Sequence, residues 1–201
     1  MQNPPLSRFG KPLPRAFYDR ETTLVARELL GRVLIHASPE GMAAGRIVET
    51  EAYRQDDPAS HSYRGQTPRN APMFGAPGTA YVYFIYGTHW CFNVVTAQEG
   101  IGEAALIRAL EPLEGIALME RRRNLADLRR LCRGPGSLCA AMGITGALNS
   151  ADLTQPGTVW IAEGQPVPDP QVVSTQRVGI TRAVHHPWRY YVANSRFISR
   201  K

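Results

Sequence analysis

Lysine is almost missing from this chain of 201 residues: only Lys11 and Lys201 are lysine, so 21 of the 23 basic residues are arginine. Cysteine is scarce too, and Cys91, Cys132 and Cys139 include no pair at C-x-x-C spacing. That excludes a disulfide framework and a cysteine-rich zinc module, and makes a reduced, cytoplasmic setting the default. No apolar run approaches the ~20 residues of a membrane span, and no signal-peptide core follows Met1. Acidic residues are absent from Pro170 to Lys201, where Arg177, Arg182, Arg189, Arg196, Arg200 and Lys201 accompany His185 and His186. A one-signed stretch is the footprint of a polyanion partner, and the planar arginine fork suits phosphates and base edges. A GC-rich genome that replaces lysine by arginine throughout is the plainer explanation of the arginine excess.

What is present is an ordinary globular balance, 43% apolar and 20% charged with a net charge of +6. The length predicts one domain that buries roughly 70% of its unfolded surface. Residues 1–17, rich in proline and without acids, read as a flexible arm, and 18–201 as a single domain. Asp19 reads as the cap of a helix through about Leu30, stopped by Gly31. Strands are predicted over Arg32–Ala37, Gly45–Tyr53, Thr79–Tyr86, Trp90–Thr96 and Ala104–Leu110, the third and fourth as a hairpin turning at Gly87. The stretch from Arg54 to Pro77 is too rich in Pro, Gly, Asn and Asp to be regular. A helix from Leu113 to about Leu131, a short one opened by Gly134-Pro-Gly-Ser137, and strands around Val159, Val178 and Tyr191 complete the reading. The fold class is α+β: a mostly antiparallel curved sheet flanked by helices, with a protruding hairpin.

The segment Arg46-Ile-Val-Glu-Thr-Glu-Ala-Tyr53 carries the most chemistry. As a strand it puts Ile47, Glu49, Glu51 and Tyr53 on one face. Burial and mutual repulsion there raise at least one carboxyl toward general acid–base duty. The alternative is a solvent-facing strand whose two glutamates have no special role. Tyr86, beside Gly87 at the hairpin tip, marks an insertion or stacking point, or is simply a strand-end tyrosine reaching for water. His61 follows Asp56 and Asp57 in a loop, but the absence of H-x-x-x-H or H-E-x-x-H spacing argues against a metal site.

Taken in order along the chain, these pieces resemble the alkyladenine (3-methyladenine) DNA glycosylase family. The resemblance rests on Leu29-Leu-Gly-Arg-Val-Leu34, Arg46–Tyr53, His61-Ser62, Gln66-Thr-Pro-Arg-Asn70, Met73-Phe74, Tyr81-Val-Tyr83, Ile85-Tyr-Gly87, Asn93, Leu106-Ile-Arg-Ala-Leu-Glu-Pro-Leu113, Gly134-Pro135 and Arg177-Val-Gly-Ile180. It runs from about Phe17 to Tyr191. The chain departs from the family pattern at Thr88-His89, where bulkier apolar residues are usual, and in a slightly shorter Tyr53–His61 loop.

The resemblance implies an enzyme that flips a damaged purine (3-methyladenine, 7-methylguanine, hypoxanthine or ethenoadenine) out of double-stranded DNA and hydrolyses its N-glycosidic bond. Tyr86 would fill the vacated stack, and the base would lie between Tyr53 and the pair His61 and Tyr83. Glu51 would activate the water, with Glu49 as the lesser candidate, and Arg108 would hold Glu51 in place. Asn93 would reject ordinary guanine by a clash with its amino group. Thr67, Arg69, Met73, Arg177 and Arg182 would contact DNA. With lysine confined to the two ends, no amine sits beside Glu51 to form a Schiff base. A monofunctional, cofactor-free and metal-free monomer that leaves an abasic site is the expectation, cytoplasmic and nucleoid-associated in a bacterium. Two other classes stay open: a DNA- or RNA-binding module without catalysis, and a metal-dependent nuclease built on Glu49, Glu51, Asp56 and Asp57.

Overall fold

The computed structural model describes residues 8–200. Its frame is β1 (Val33–Ser38), β2 (Gly41–Tyr53), β3 (Ala80–Ile85), β4 (His89–Val95), β5 (Ala104–Glu114), β6 (Val159–Ala162), β7 (Val172–Thr175) and β8 (Arg189–Val192). Every pairing among them is antiparallel. The order is β3-β4-β5-β2-β1-β6, and β8 joins β7 to β2, in a curled half-barrel sheet that makes one α+β domain. At 13 residues β2 is long enough to divide one edge between two neighbours. Its first half pairs with β1, and Glu49–Glu51 pair with β8 while β5 runs along the opposite edge. The segment with the two glutamates is therefore central in the sheet, with strands on both sides.

Helices α1 (Arg15–Tyr18), α2 (Thr22–Glu28), α3 (Ile116–Arg123), α4 (Leu128–Leu131) and α5 (Pro135–Met142) complete the domain. The main core gathers Leu29, Ile47, Phe92, Ile107, Met119 and Leu138 between helices and sheet. Period-two alternation then aims the other side chains of the same strands away from the helices. Thus Ala80 and Val82 join the main core, while Tyr81 and Tyr83 belong to a second cluster with Met73 and Tyr53.

Several boundaries differ from the sequence reading. Asp19 ends α1, and it is Glu21 that caps α2, accepting from the Leu24 N–H at 2.8 Å. The long helix after Leu113 does not form. Leu113 stays in β5, Gly115 turns the chain at φ 71°, and Asn124 at φ 46° stops α3 before Asp127 starts α4 by accepting from the Arg129 N–H. Val178 lies in a loop, and the strand near it is Val172–Thr175. Of the stretch read as a flexible arm, residues 1–7 lie outside the described residues. Its remainder is docked: Leu13 is 3% exposed and its N–H donates to Ile161 O at 2.9 Å.

Candidate active site

Two bulges build the site. From Ile47 to Glu49 the partner on β5 advances only from Leu110 to Ala109, so Val48 is extra on β2. From Glu49 to Thr50 it advances from Ala109 to Ile107, so Arg108 is extra on β5. Each extra residue flips the alternation beyond it. Ile47 accordingly faces the helical core, while Glu49, Glu51 and Tyr53 face the other side, which corrects the uniform face expected for all four. The same irregularity delivers Arg108 to both carboxylates: its Nε donates to Glu49 Oε1 and its Nη1 to Glu51 Oε2, each at 3.3 Å.

The two glutamates have different surroundings. Glu49 also accepts from Arg189 Nε at 2.7 Å, from Ser199 Oγ at 2.8 Å and from the Ser199 N–H. Glu51 accepts from Tyr53 OH at 2.8 Å on Oε2 and from the Val178 N–H at 2.7 Å on Oε1. Both are fully buried. Burial pushes the Glu51 carboxyl above the ordinary glutamate value, more than Arg108 and the two hydrogen bonds pull it down, and Glu49 adds to the rise.

All three partners of Glu51 — Tyr53, Arg108 and Val178 — line a cavity of about 510 Å³, within the range of small-molecule sites. Tyr81, Tyr83, Cys91 and Asn93 line it from β3 and β4, and His61 from the loop after β2. The His61 and Tyr83 rings meet edge to face at 4.5 Å, and His61 Nδ1 is 2.9 Å from Tyr81 OH. Burial pushes the Tyr81 phenol up to about 12, and raises Tyr83 and the Cys91 thiol as well. These groups are therefore neutral at physiological pH. Loss of hydration and the nearby Arg69 lower the His61 imidazole, which keeps it neutral too. Asn93 is buried, and its Nδ2 donates to Tyr81 O at 3.0 Å, which fixes the orientation of its amide.

The cavity is rimmed by the β3–β4 hairpin. Tyr86 and Gly87 hold its tip at φ 55° and 66°, both left-handed as in a type I′ turn. Glycine tolerates that conformation and tyrosine does not favour it. Tyr86 is nevertheless 81% exposed, so no packing of its own compensates. Tyr86 is thus an exposed aromatic held in a strained conformation on a turn beside an aromatic cavity.

The family model for methylpurine-DNA glycosylase matches residues 16–196. The chain belongs to the methylpurine-DNA glycosylase family. A relative from Methanoculleus marisnigri is 52% identical over 191 residues, covering 94% of this chain and 99% of its own. One from Bradyrhizobium diazoefficiens is 50% identical over 193 residues, covering 96% and 93%. A third, from Carboxydothermus hydrogenoformans, is 47% identical over 189 residues, covering 94% and 99%. Each is named as a 3-methyladenine DNA glycosylase. This protein is accordingly a DNA glycosylase, a hydrolase of DNA repair.

In the glycosylase Glu51, Arg108, Tyr53, His61, Tyr83 and Asn93 converge on the cavity or its wall, and Tyr86 stands at its rim. The residues expected to contact DNA are scattered. Arg182 is exposed and lines the cavity mouth; Thr67 is exposed and bonds Asn70; Arg69 is exposed and donates to Phe84 O at 3.1 Å, tying its loop to β3. Met73 is 2% exposed inside the aromatic cluster, where it lines the cavity and not the outer surface. Arg177 is likewise interior, at 6% exposure and ion-paired with a buried Asp57. Arg189 is buried against Glu49, so the acid-free tail presents less positive surface than its sequence suggests. Sequence reasoning missed the roles of Asp57, the Val178 N–H, Arg189 and Ser199, because those roles depend on contacts between residues far apart in the chain.

The acids of the nuclease reading are also accounted for. Glu49 is held by Arg108 and Arg189, Asp57 by Arg177, and Asp56 by Arg54 at 3.1 Å. Among the described residues no group of three His, Cys, Asp or Glu side chains is arranged to hold a metal ion.

Proposed function

We propose that this glycosylase flips a damaged purine (3-methyladenine, 7-methylguanine, hypoxanthine or ethenoadenine) into the cavity and hydrolyses its N-glycosidic bond with a water activated by Glu51. The observation that carries the proposal is the placement of Glu51: its carboxylate is bonded to three groups that form one wall of an aromatic cavity. A base stacked on Tyr53 brings its sugar to that wall. Glu51 takes a proton from water as the water oxygen adds to the anomeric carbon. The glycosidic bond breaks, and its electron pair leaves with the purine. The buried carboxylate also favours the positive charge that develops on the sugar.

The other residues follow. Arg108 orients Glu51, and Tyr53 serves twice, through its ring and its hydroxyl. His61 Nδ1 lies 2.9 Å from Tyr81 OH, and in the tautomer that accepts from this hydroxyl the ring carries its proton on Nε2, where it donates to the bound base. Asn93 rejects ordinary guanine at the cavity floor by crowding its amino group. Tyr86 occupies the gap left in the duplex. Thr67, Arg69 and Arg182, all exposed, remain candidates for DNA contact. Lys11, the one lysine among the described residues, bonds Glu163 next to β6, at the opposite end of the strand order from the hairpin. A monofunctional reaction that needs no amine or cofactor and leaves an abasic site follows, carried out by a monomer in the cytoplasm.

The test is a duplex with a single hypoxanthine or 3-methyladenine, incubated in EDTA and then treated with alkali. Strand cleavage only after alkali, lost in Glu51→Gln, is the expected result. Binding of damaged duplex without release of any purine would instead indicate a damage-binding module.

A further inference from the structure

We infer that Arg177 is a positioning residue for this reaction: it pins the 177–183 loop so that the Val178 N–H meets Glu51. The inference rests on the reading of Glu51 as the group that activates water. Arg177 Nη1 donates to Asp57 Oδ2 and to Ala52 O, the latter at 2.9 Å, and Nη2 reaches Ala183 O at 3.5 Å. One guanidinium thus ties the two ends of the loop to each other and to the end of β2. Its carbon lies 4.7 Å from the Tyr53 ring centroid and 5.2 Å from that of Trp188. Arg177 does not line the cavity, whereas Tyr53 does, so the cation braces Tyr53 from outside the base site. Arg177 therefore bears on two of the three groups bonded to Glu51, Tyr53 through its ring and Val178 through the adjacent peptide.

The arrangement is a poor one for stability alone. Both members of the Arg177–Asp57 pair have fully buried side chains, and Arg177 Nε is buried without a hydrogen-bond partner. A hydrophobic pair of similar volume commonly serves a core as well or better. What a hydrophobic pair does not provide is a fork of directed bonds that fixes a loop backbone. Positions 178–182 form one side of the cavity, so the loop has to be held without filling the space a base needs.

The closing experiment measures single-turnover excision of hypoxanthine as a function of pH, alongside duplex affinity, for Arg177→Met, Asp57→Asn and Glu51→Gln. The charged and titratable groups around Glu51 are Arg108 on β5, Glu49 and Tyr53 on β2 and Cys91 on β4, and none is altered in the first two variants. Loss of positioning lowers the excision rate on the order of tenfold or more with duplex affinity nearly unchanged. It also moves the acid limb of the rate to higher pH, because Glu51 loses a donor that favours its carboxylate. Added guanidinium at non-denaturing concentration partly restores Arg177→Gly. A folded Arg177→Met with an unchanged rate and acid limb would overturn the inference, as would a loss confined to duplex affinity. If Arg177→Met does not fold, Asp57→Asn decides on the same two readouts. Full activity in Glu51→Gln would instead sink the reading of Glu51 itself.

Discussion

Val178 and Glu51 are 127 positions apart, and the N–H of one donates to Oε1 of the other at 2.7 Å. That bond joins the cavity loop to the central strand at the residue proposed to do the chemistry. Together with Tyr53 OH and Arg108 it leaves the carboxylate oriented, buried and still harder to ionise than an ordinary glutamate. Because Glu51 must lose its proton to act as a base, the rate on an already cationic purine should fall on the acid side at a pH above the ordinary glutamate value of 4.5. A pH–rate profile on 3-methyladenine checks this, and a flat profile down to pH 4.5 would contradict it.

The same shift has a stability consequence. A carboxyl whose folded value lies above its unfolded one takes up protons on folding, so its contribution is largest below 4.5 and is lost as pH rises through the folded value. The stability of the natural protein relative to Glu51→Gln should therefore improve as pH is lowered from 8 to 5. Thermal denaturation of both proteins across that range gives the answer, and a constant difference would show that Glu51 is not shifted.

Glu49 should behave differently from Glu51. Its removal leaves Arg189 without its carboxylate and Arg108 with only one, all at buried positions. Glu49→Ala is expected to destabilise by about 3–5 kcal/mol, the usual cost of breaking a buried ion pair. A denaturant titration that found less than about 1 kcal/mol would rule out a structural clamp.

Tyr86 should show the reverse pattern. Replacing it by glycine removes the strain of a non-glycine residue in the left-handed region, worth about 1–2 kcal/mol, against a smaller entropic loss. Tyr86→Gly should thus be at least as stable as the natural protein yet excise bases from duplex DNA more slowly. Equal excision rates on duplex would show that the hairpin tip is not a wedge.

Gly102 tests how the His61 loop is seated. A Cβ there would lie 2.5 Å from the Phe74 ring and 2.6 Å from Ser62 Cβ, and the Gly102 carbonyl accepts from Ser62 Oγ. Gly102→Ala should lower stability by roughly 1–3 kcal/mol through overpacking and should weaken base binding, because Ser62 adjoins His61. Unaltered melting and unaltered excision would mean that the loop tolerates a shift at this point.

Local sequence patterns determined much of this protein. The alternation Tyr81-Val-Tyr83 placed two phenols on one face of a hairpin strand, and Gly87 after Tyr86 located its turn. Pro135 after Gly134 opened α5 where expected, since proline suits a first helical turn. The resemblance along the chain brought Glu51, Tyr53, His61, Asn93 and Arg108 into one hypothesis, and the structure places Tyr53, His61, Asn93 and Arg108 around one cavity, with Glu51 bonded to Tyr53 and Arg108. What alternation could not foresee are the two bulges, because an extra residue is set by the pairing of β2 with β5 and leaves no mark in either strand alone. The partners of the carboxylates were also hidden: Arg189 and Arg177 look like surface charge in an acid-free tail and are buried in ion pairs. A charge seeks its counter-charge through space, so only the tertiary structure decided which arginines stay exposed and which are buried in ion pairs.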